Sequence, residues 1–179
     1  MRKLWNAGAL VLCCVLSVTA HAAEVGSTKV FVVGTILPSS CNIAAGNNKK
    51  SINMGTYANN SALLNTVGKV LTSKDLSISL TGCNTGIIGT VVTFSGDTSL
   101  DDPTLLALTD PDSPETVQGL AVRISDKDGN VIPINGESVL QTLTPGNNTL
   151  KFKLAYQVTK IPVTAGTANA VLYMDMAYQ

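Results

Sequence analysis

Hydrophobic and polar residues alternate with a period of two along much of the chain. The alternation is clearest over 74–80, 120–125 and 150–154, where Leu, Ile, Val or Phe occupies every second position. Successive side chains of a β-strand point to opposite faces, so this pattern predicts strands with one buried face. The run 88–94 is rich in β-branched residues and predicts a further strand.

Turn-forming residues separate these segments at short intervals. Asp128-Gly129-Asn130 lies between the 120–125 strand and an apolar run at 131–134, which predicts a hairpin. Pro145-Gly146-Asn147-Asn148 predicts another turn just before the 150–154 strand. Short strands with such turns, and no sustained helical periodicity, predict a single all-β sandwich.

Residues 97–119 are less regular, with six acidic residues and three prolines. One interpretation is a calcium-binding loop, and the alternative is a solvated surface loop with one helical turn near Leu105. The spacing of the carboxylates does not match the ligand pattern of a calcium loop. We therefore expect the surface loop.

The first residues have the pattern of an export signal. Arg2 and Lys3 precede an apolar run over 7–18, and Ala20-His21-Ala22 supplies small residues for cleavage before Ala23. The run is too short to anchor the chain across a bilayer. We expect residues 1–22 to be removed as a signal peptide during export to the periplasm.

Charge and residue content then exclude several classes of function. Loss of Arg2 and Lys3 leaves ten basic against twelve acidic residues, and this balance does not attract nucleic acid. His21 is the only histidine and leaves with the signal. The mature chain then lacks a Ser-His-Asp or Cys-His arrangement and a histidine metal ligand. We expect neither an enzymatic activity nor a cofactor.

Two cysteines remain in the mature chain, Cys41 and Cys83. An even pair in an exported chain predicts one disulfide. The alternative is that they are two ligands of a metal site. That interpretation lacks a histidine partner and a closely spaced cysteine pair, and we disfavour it.

Both ends of the mature chain show strand alternation. Near the start, one face of an extended strand would carry Thr28, Val30, Val32, Gly34 and Ile36, and the opposite face Phe31, Val33 and Thr35. Near the end, one face would carry Leu172, Met174, Met176 and Tyr178. Either end alone is compatible with an ordinary paired strand of a complete sandwich.

Taken together, these features resemble the pilins of the chaperone–usher pathway, the type 1 fimbrial subunit family. Gly34 lies seven residues before Cys41, and Cys83 closes the segment Leu-Ser-Ile-Ser-Leu-Thr-Gly-Cys. Tyr178 is penultimate, and Gly166 is the fourteenth residue counted back from Gln179. The resemblance covers essentially the whole mature chain.

The resemblance implies an immunoglobulin-like sandwich that lacks its last strand and is completed by a donor strand from a neighbouring subunit. It divides the chain into a signal peptide (1–22), a donor-strand extension (23–37) and a pilin domain (38–179). The implied donor residues are Thr28, Val30, Val32, Gly34 and Ile36. The implied chaperone-binding residues are Gly166, Leu172, Met174, Met176 and Tyr178.

The implied partners are a periplasmic pilus chaperone, an outer-membrane usher and neighbouring subunits in a head-to-tail polymer. The implied function is that of a structural subunit in a cell-surface fimbria that supports adhesion. An alternative is a fimbrial subunit that itself binds a host-surface receptor, because such sites lie on loops without a recognisable motif.

Overall fold

The computed structural model describes residues 40–59, 62–138 and 140–179. The predicted signal peptide and donor-strand extension lie outside the described residues. The strands are β1 (Asn42–Ile43), β2 (Lys74–Cys83), β3 (Gly89–Ser95), β4 (Leu120–Asp126), β5 (Gln141–Thr142), β6 (Gly146–Val158) and β7 (Tyr173–Tyr178). A 3-10 helix spans Ala62–Leu64. No helix in the described ranges is long and apolar enough to cross a membrane.

The strands form two sheets in which every pair is antiparallel. The first sheet has the order β1-β2-β6-β4, and the second has the order β5-β3-β7. The predicted strands at 74–80, 88–94, 120–125 and 150–154 correspond to β2, β3, β4 and β6. The prediction of an all-β sandwich is therefore confirmed.

The core lies between the two sheets and is centred on a pair of phenylalanines. Phe94 of β3 and Phe152 of β6 meet edge to face, with ring centroids 4.9 Å apart and an interplanar angle of 88°. Both side chains are almost completely buried. Because the two rings come from different sheets, their contact joins the two layers. Edge-to-face aromatic pairs stabilise a fold by more than the burial of their surface area alone.

The predicted hairpin after β4 forms, but its second strand is much shorter than the run 131–134. The turn forms, since the amide of Asp126 donates to Asn130 O over 3.0 Å. The returning segment, however, pairs with β4 only at Val131, apart from one bond from the amide of Ile132 to Ile124 O. Pro133 has no N–H with which to continue the ladder, and the chain crosses to the other sheet. There the Asn135 amide donates to Phe94 O over 2.7 Å.

The turn predicted at 145–148 is also displaced. Strand β6 begins at Gly146, so most of the predicted turn belongs to the strand. The Asn148 side chain accepts from the amide of Thr144 over 3.0 Å and donates to Thr144 O over 2.6 Å. The Asn148 side chain, which belongs to β6, therefore holds the turn that precedes the strand.

Residues 97–119 contribute to the core, contrary to the expected solvated loop. A single hydrogen-bonded turn closes at Leu105, whose amide donates to Asp102 O over 3.0 Å, and the side chains of Leu105, Leu106 and Leu108 are buried. Leu106 bridges both Thr98 and Val122 of β4. This segment thus packs against the open side of the first sheet, and its acidic residues occupy only the outer turns.

We expect Phe94→Ala to lower the free energy of unfolding by about 3–5 kcal/mol, because the cavity separates two packed layers. Chemical denaturation of the purified protein followed by circular dichroism would measure the change. Leu100→Ala is the matched control, since the Leu100 side chain is 95% exposed. Equal effects of the two substitutions would contradict the placement of the core.

Candidate functional site

Strand β7 forms an open edge of the second sheet. It pairs with β3 from Ser95↔Tyr173 to Thr90↔Tyr178. Within the described part of the chain, no strand pairs with its other side. Every second residue of such an edge presents an N–H and a C=O with no partner in the ladder, which makes the edge a template for another strand.

The side chains of β7 alternate between the core and the outside. Met174, Met176 and Tyr178 point inward and are partly buried against the core, as is Leu172 just before the strand. Tyr173 and Asp175 point outward and are exposed. The predicted alternation is therefore present, but its inner face is only partly covered.

A groove with a volume of about 1610 Å³ runs beside the beginning of β7, with a lining that is polar at its rim segment 47–59 and apolar where core residues reach it. Its inner surface comes from both sheets and from the 97–119 segment. The core residues that line it include Leu76, Ile78, Phe94, Leu106, Val117, Val122, Leu154 and Tyr156. A sandwich with all its strands would fill this space, so the groove has the character of a core with one element missing.

The predicted chaperone-binding residues divide into two groups. Gly166, Leu172 and Met174 line the groove. Met176 and Tyr178 pack against the core further along β7 and do not line it. The predicted donor residues Thr28, Val30, Val32, Gly34 and Ile36 lie outside the described residues, so their role stays a prediction.

The end of β7 is fixed next to the predicted disulfide, which is present between Cys41 and Cys83. The Tyr178 hydroxyl donates a hydrogen bond of 3.3 Å to Cys41 O, and burial raises the pKa of this phenol. The disulfide closes a loop of 42 residues, worth about 4 kcal/mol in the chain-entropy model. Cys41 lies four residues after the predicted donor extension.

One wall of the groove is the segment 164–169, which the 97–119 segment holds in place. The amide of Val117 donates to Thr167 O over 2.9 Å, and the amide of Thr167 donates to Glu115 O over 2.7 Å. A further bond of 2.7 Å joins the amide of Thr109 to Asn169 O. Sequence patterns did not reveal this arrangement, because it pairs two irregular segments about 50 residues apart.

Two tyrosines connect this wall to the opposite side of the groove. The Tyr156 hydroxyl donates to Ala168 O, and burial raises the pKa of Tyr156. The Tyr57 ring meets the Tyr156 ring edge to face at 6.3 Å. The Tyr57 hydroxyl in turn donates to Met54 O over 3.3 Å. Neither tyrosine was singled out from the sequence, since an isolated aromatic residue there looks like any core residue.

The chain matches the family model described as "Fimbrial protein" over residues 31–179. It is 36% identical to the fimbrial-like protein YcbU of Escherichia coli K12, over 92% of each chain. These matches place the chain in the fimbrial protein family.

Solved structures agree with this assignment. The P pilus rod subunit PapA superposes with a TM-score of 0.64 at 25% identity, covering 78% of this chain and 99% of PapA. A subunit of a chaperone–usher pilus gives a TM-score of 0.63 at 26% identity, and the match covers 89% of this chain and 100% of that subunit. The chain is a structural pilin subunit of a chaperone–usher fimbria, with the immunoglobulin-like pilin fold.

We expect Gly166→Ala to destabilise the groove wall by about 1–3 kcal/mol, because overpacking displaces backbone. An added Cβ would lie 2.5 Å from Glu115 O and 2.9 Å from Val117 N. Thermal or chemical unfolding of the purified protein would measure the loss. Ala165→Ser is the control, since Ala165 is exposed and adjacent. Unchanged stability in the glycine variant would show that the wall does not pack against 115–117.

Proposed function

We propose that this subunit polymerises by donor-strand exchange, in which the extension 23–37 of one copy fills the groove of the next. The observation that supports this proposal is the open edge of β7 beside a groove lined by core residues of both sheets. An inserted strand would complete the backbone ladder on β7 and cover the groove with its side chains. Adhesion of cells through the assembled fimbria follows from the same proposal.

The inward face of the extension suits this groove chemically. Burial of Val30, Val32 and Ile36 contributes at most about 1.5–3 kcal/mol each. Gly34 carries no side chain and suits a position where two backbones approach closely. The donor and acceptor surfaces differ, so repetition of the contact produces an open filament rather than a closed ring.

The proposal includes a periplasmic chaperone and an outer-membrane usher. Before assembly, the edge of β7 would aggregate if it stayed uncovered. A chaperone strand placed along Leu172, Met174, Met176 and Tyr178 would protect it, with Gly166 shaping the adjacent wall. The usher would then exchange that strand for the extension of the next subunit at the cell surface. Completion of the fold drives this exchange, and no enzymatic activity is needed in the subunit.

The test is to express the full chain with a cognate chaperone and usher and compare it with a variant that lacks residues 24–36. Unboiled denaturing gels of the intact chain should show a ladder of monomer multiples, because completed subunits resist detergent. The deletion variant should run as monomer. A ladder that persists in the deletion variant would refute donor-strand assembly.

Two point variants separate the faces of the extension. Val32→Asp places a charge on the inward face and should abolish the ladder. Thr35→Asp places the same charge on the outward face and should leave it intact. Loss of the ladder in both variants would mean that the extension acts through some property other than insertion of its inward face.

A further inference from the structure

The methionines of the chain are concentrated at the candidate site. Outside the predicted signal peptide, methionine occurs only at positions 54, 174 and 176. Met174 and Met176 lie on β7, and Met54 lies in the rim segment 47–59. The remaining two sulfur atoms are joined in the disulfide. Every thioether among the described residues is therefore in or beside the groove.

Two of these three methionines line the groove. Met54 and Met174 both belong to its lining, and both are partly buried against the core. Met174 is paired in register with the completely buried Phe94, whereas the carbonyl of Met54 accepts the hydrogen bond of the Tyr57 hydroxyl. Met176 packs against the core further along β7 and does not line the groove. A small molecule that enters the groove therefore meets Met54 and Met174.

An aliphatic side chain would suit the packing at both positions. Ile52 lies two residues before Met54, and Leu172 lies two residues before Met174. Both aliphatic residues also line the groove and are partly buried against the core. A thioether is similar to them in size, but peroxides oxidise it to a sulfoxide, which is polar. The two methionines thus give the groove a reactivity that its aliphatic residues lack.

We propose that Met54 and Met174 are sites of two-electron oxidation by a peroxide, and that their oxidation reduces the uptake of a strand by the groove. The second part of this proposal rests on the proposed donor-strand exchange. In the reaction, a lone pair of the methionine sulfur attacks one oxygen of hydrogen peroxide, and the S–O bond forms as the O–O bond breaks. The other oxygen takes the remaining proton and leaves as water. Sulfur loses two electrons, and the peroxide gains them.

The effect of a sulfoxide depends on whether the groove is open or filled. In the open groove, water can hydrate the new S–O group. An inserted strand would remove that water, and its backbone N–H groups would already be used in the ladder with β7. A buried acceptor without a donor is unfavourable, so the sulfoxide opposes insertion. A filled groove excludes the peroxide in turn, so both methionines are oxidised readily only before assembly.

Mass spectrometry would test the modification itself. Purified full-length subunits and assembled fibres are treated with the same concentration of hydrogen peroxide, and the reaction is quenched with free methionine. Fragment ions then distinguish Met174 from Met176. Met54 and Met174 should each gain one oxygen atom at least about fivefold faster in subunits than in fibres. Equal rates in subunits and fibres, or oxidation confined to Met176, would overturn the proposal.

Uptake of a labelled synthetic peptide with the sequence of residues 24–36 would test the consequence. Untreated full-length subunits should retain the peptide on an unboiled denaturing gel, and oxidised subunits should retain at least about tenfold less. Methionine sulfoxide reductases of both stereospecificities should restore uptake, because together they reduce both sulfoxide epimers. A loss of uptake that these enzymes do not reverse would contradict the proposal, because it would place the damage outside methionine.

Leucine variants identify the methionines responsible. Met54→Leu combined with Met174→Leu should take up the peptide before and after peroxide treatment, because leucine has a similar volume and no sulfur. Met176→Leu is the matched control on the same face of β7 and should stay sensitive to peroxide. Resistance of the control, or sensitivity of the double variant, would overturn the proposal. An untreated wild-type subunit that takes up no peptide would refute strand insertion, and with it the second part of the proposal, while the oxygen gained at Met54 and Met174 is measured independently.

Discussion

The unpaired edge of β7 is the constraint on which the rest of the structure depends. A sandwich core stays dry only if both sheets cover it, and the second sheet ends at β7 beside an apolar groove. A further strand would satisfy both features, because its backbone would pair with the open edge and its side chains would cover the groove. If a neighbouring subunit supplies that strand, the free energy gained by completing the fold also stabilises the fibre.

The groove keeps its shape because irregular segments hold its walls. One wall, 164–169, is paired through backbone hydrogen bonds with residues 109–117 and is contacted by the Tyr156 hydroxyl. The far end of β7 is fixed through the Tyr178 hydroxyl to the carbonyl of Cys41, next to the disulfide. An acceptor site that stays open without collapsing needs such supports, since apolar walls with no strand between them would otherwise close on each other.

Sequence patterns predicted the strands that can be recognised from consecutive residues alone. The alternation over 74–80 and 150–154 predicted β2 and β6, because one face of each strand is buried along its length. The apolar run at 131–134 forms only one bridge with β4, since Pro133 ends the ladder and the segment crosses between sheets. The burial of Leu105 and Leu106 was missed for a related reason: the bridge partners of Leu106, which are Thr98 and Val122, are set by tertiary packing.

An inserted strand would be recognised mainly through the face that it turns towards the groove. The inward face would contribute most of the binding free energy, because it removes apolar surface from water, and Gly34 on that face also restricts the register. A single glycine among larger apolar side chains would therefore limit where along the groove the extension can sit.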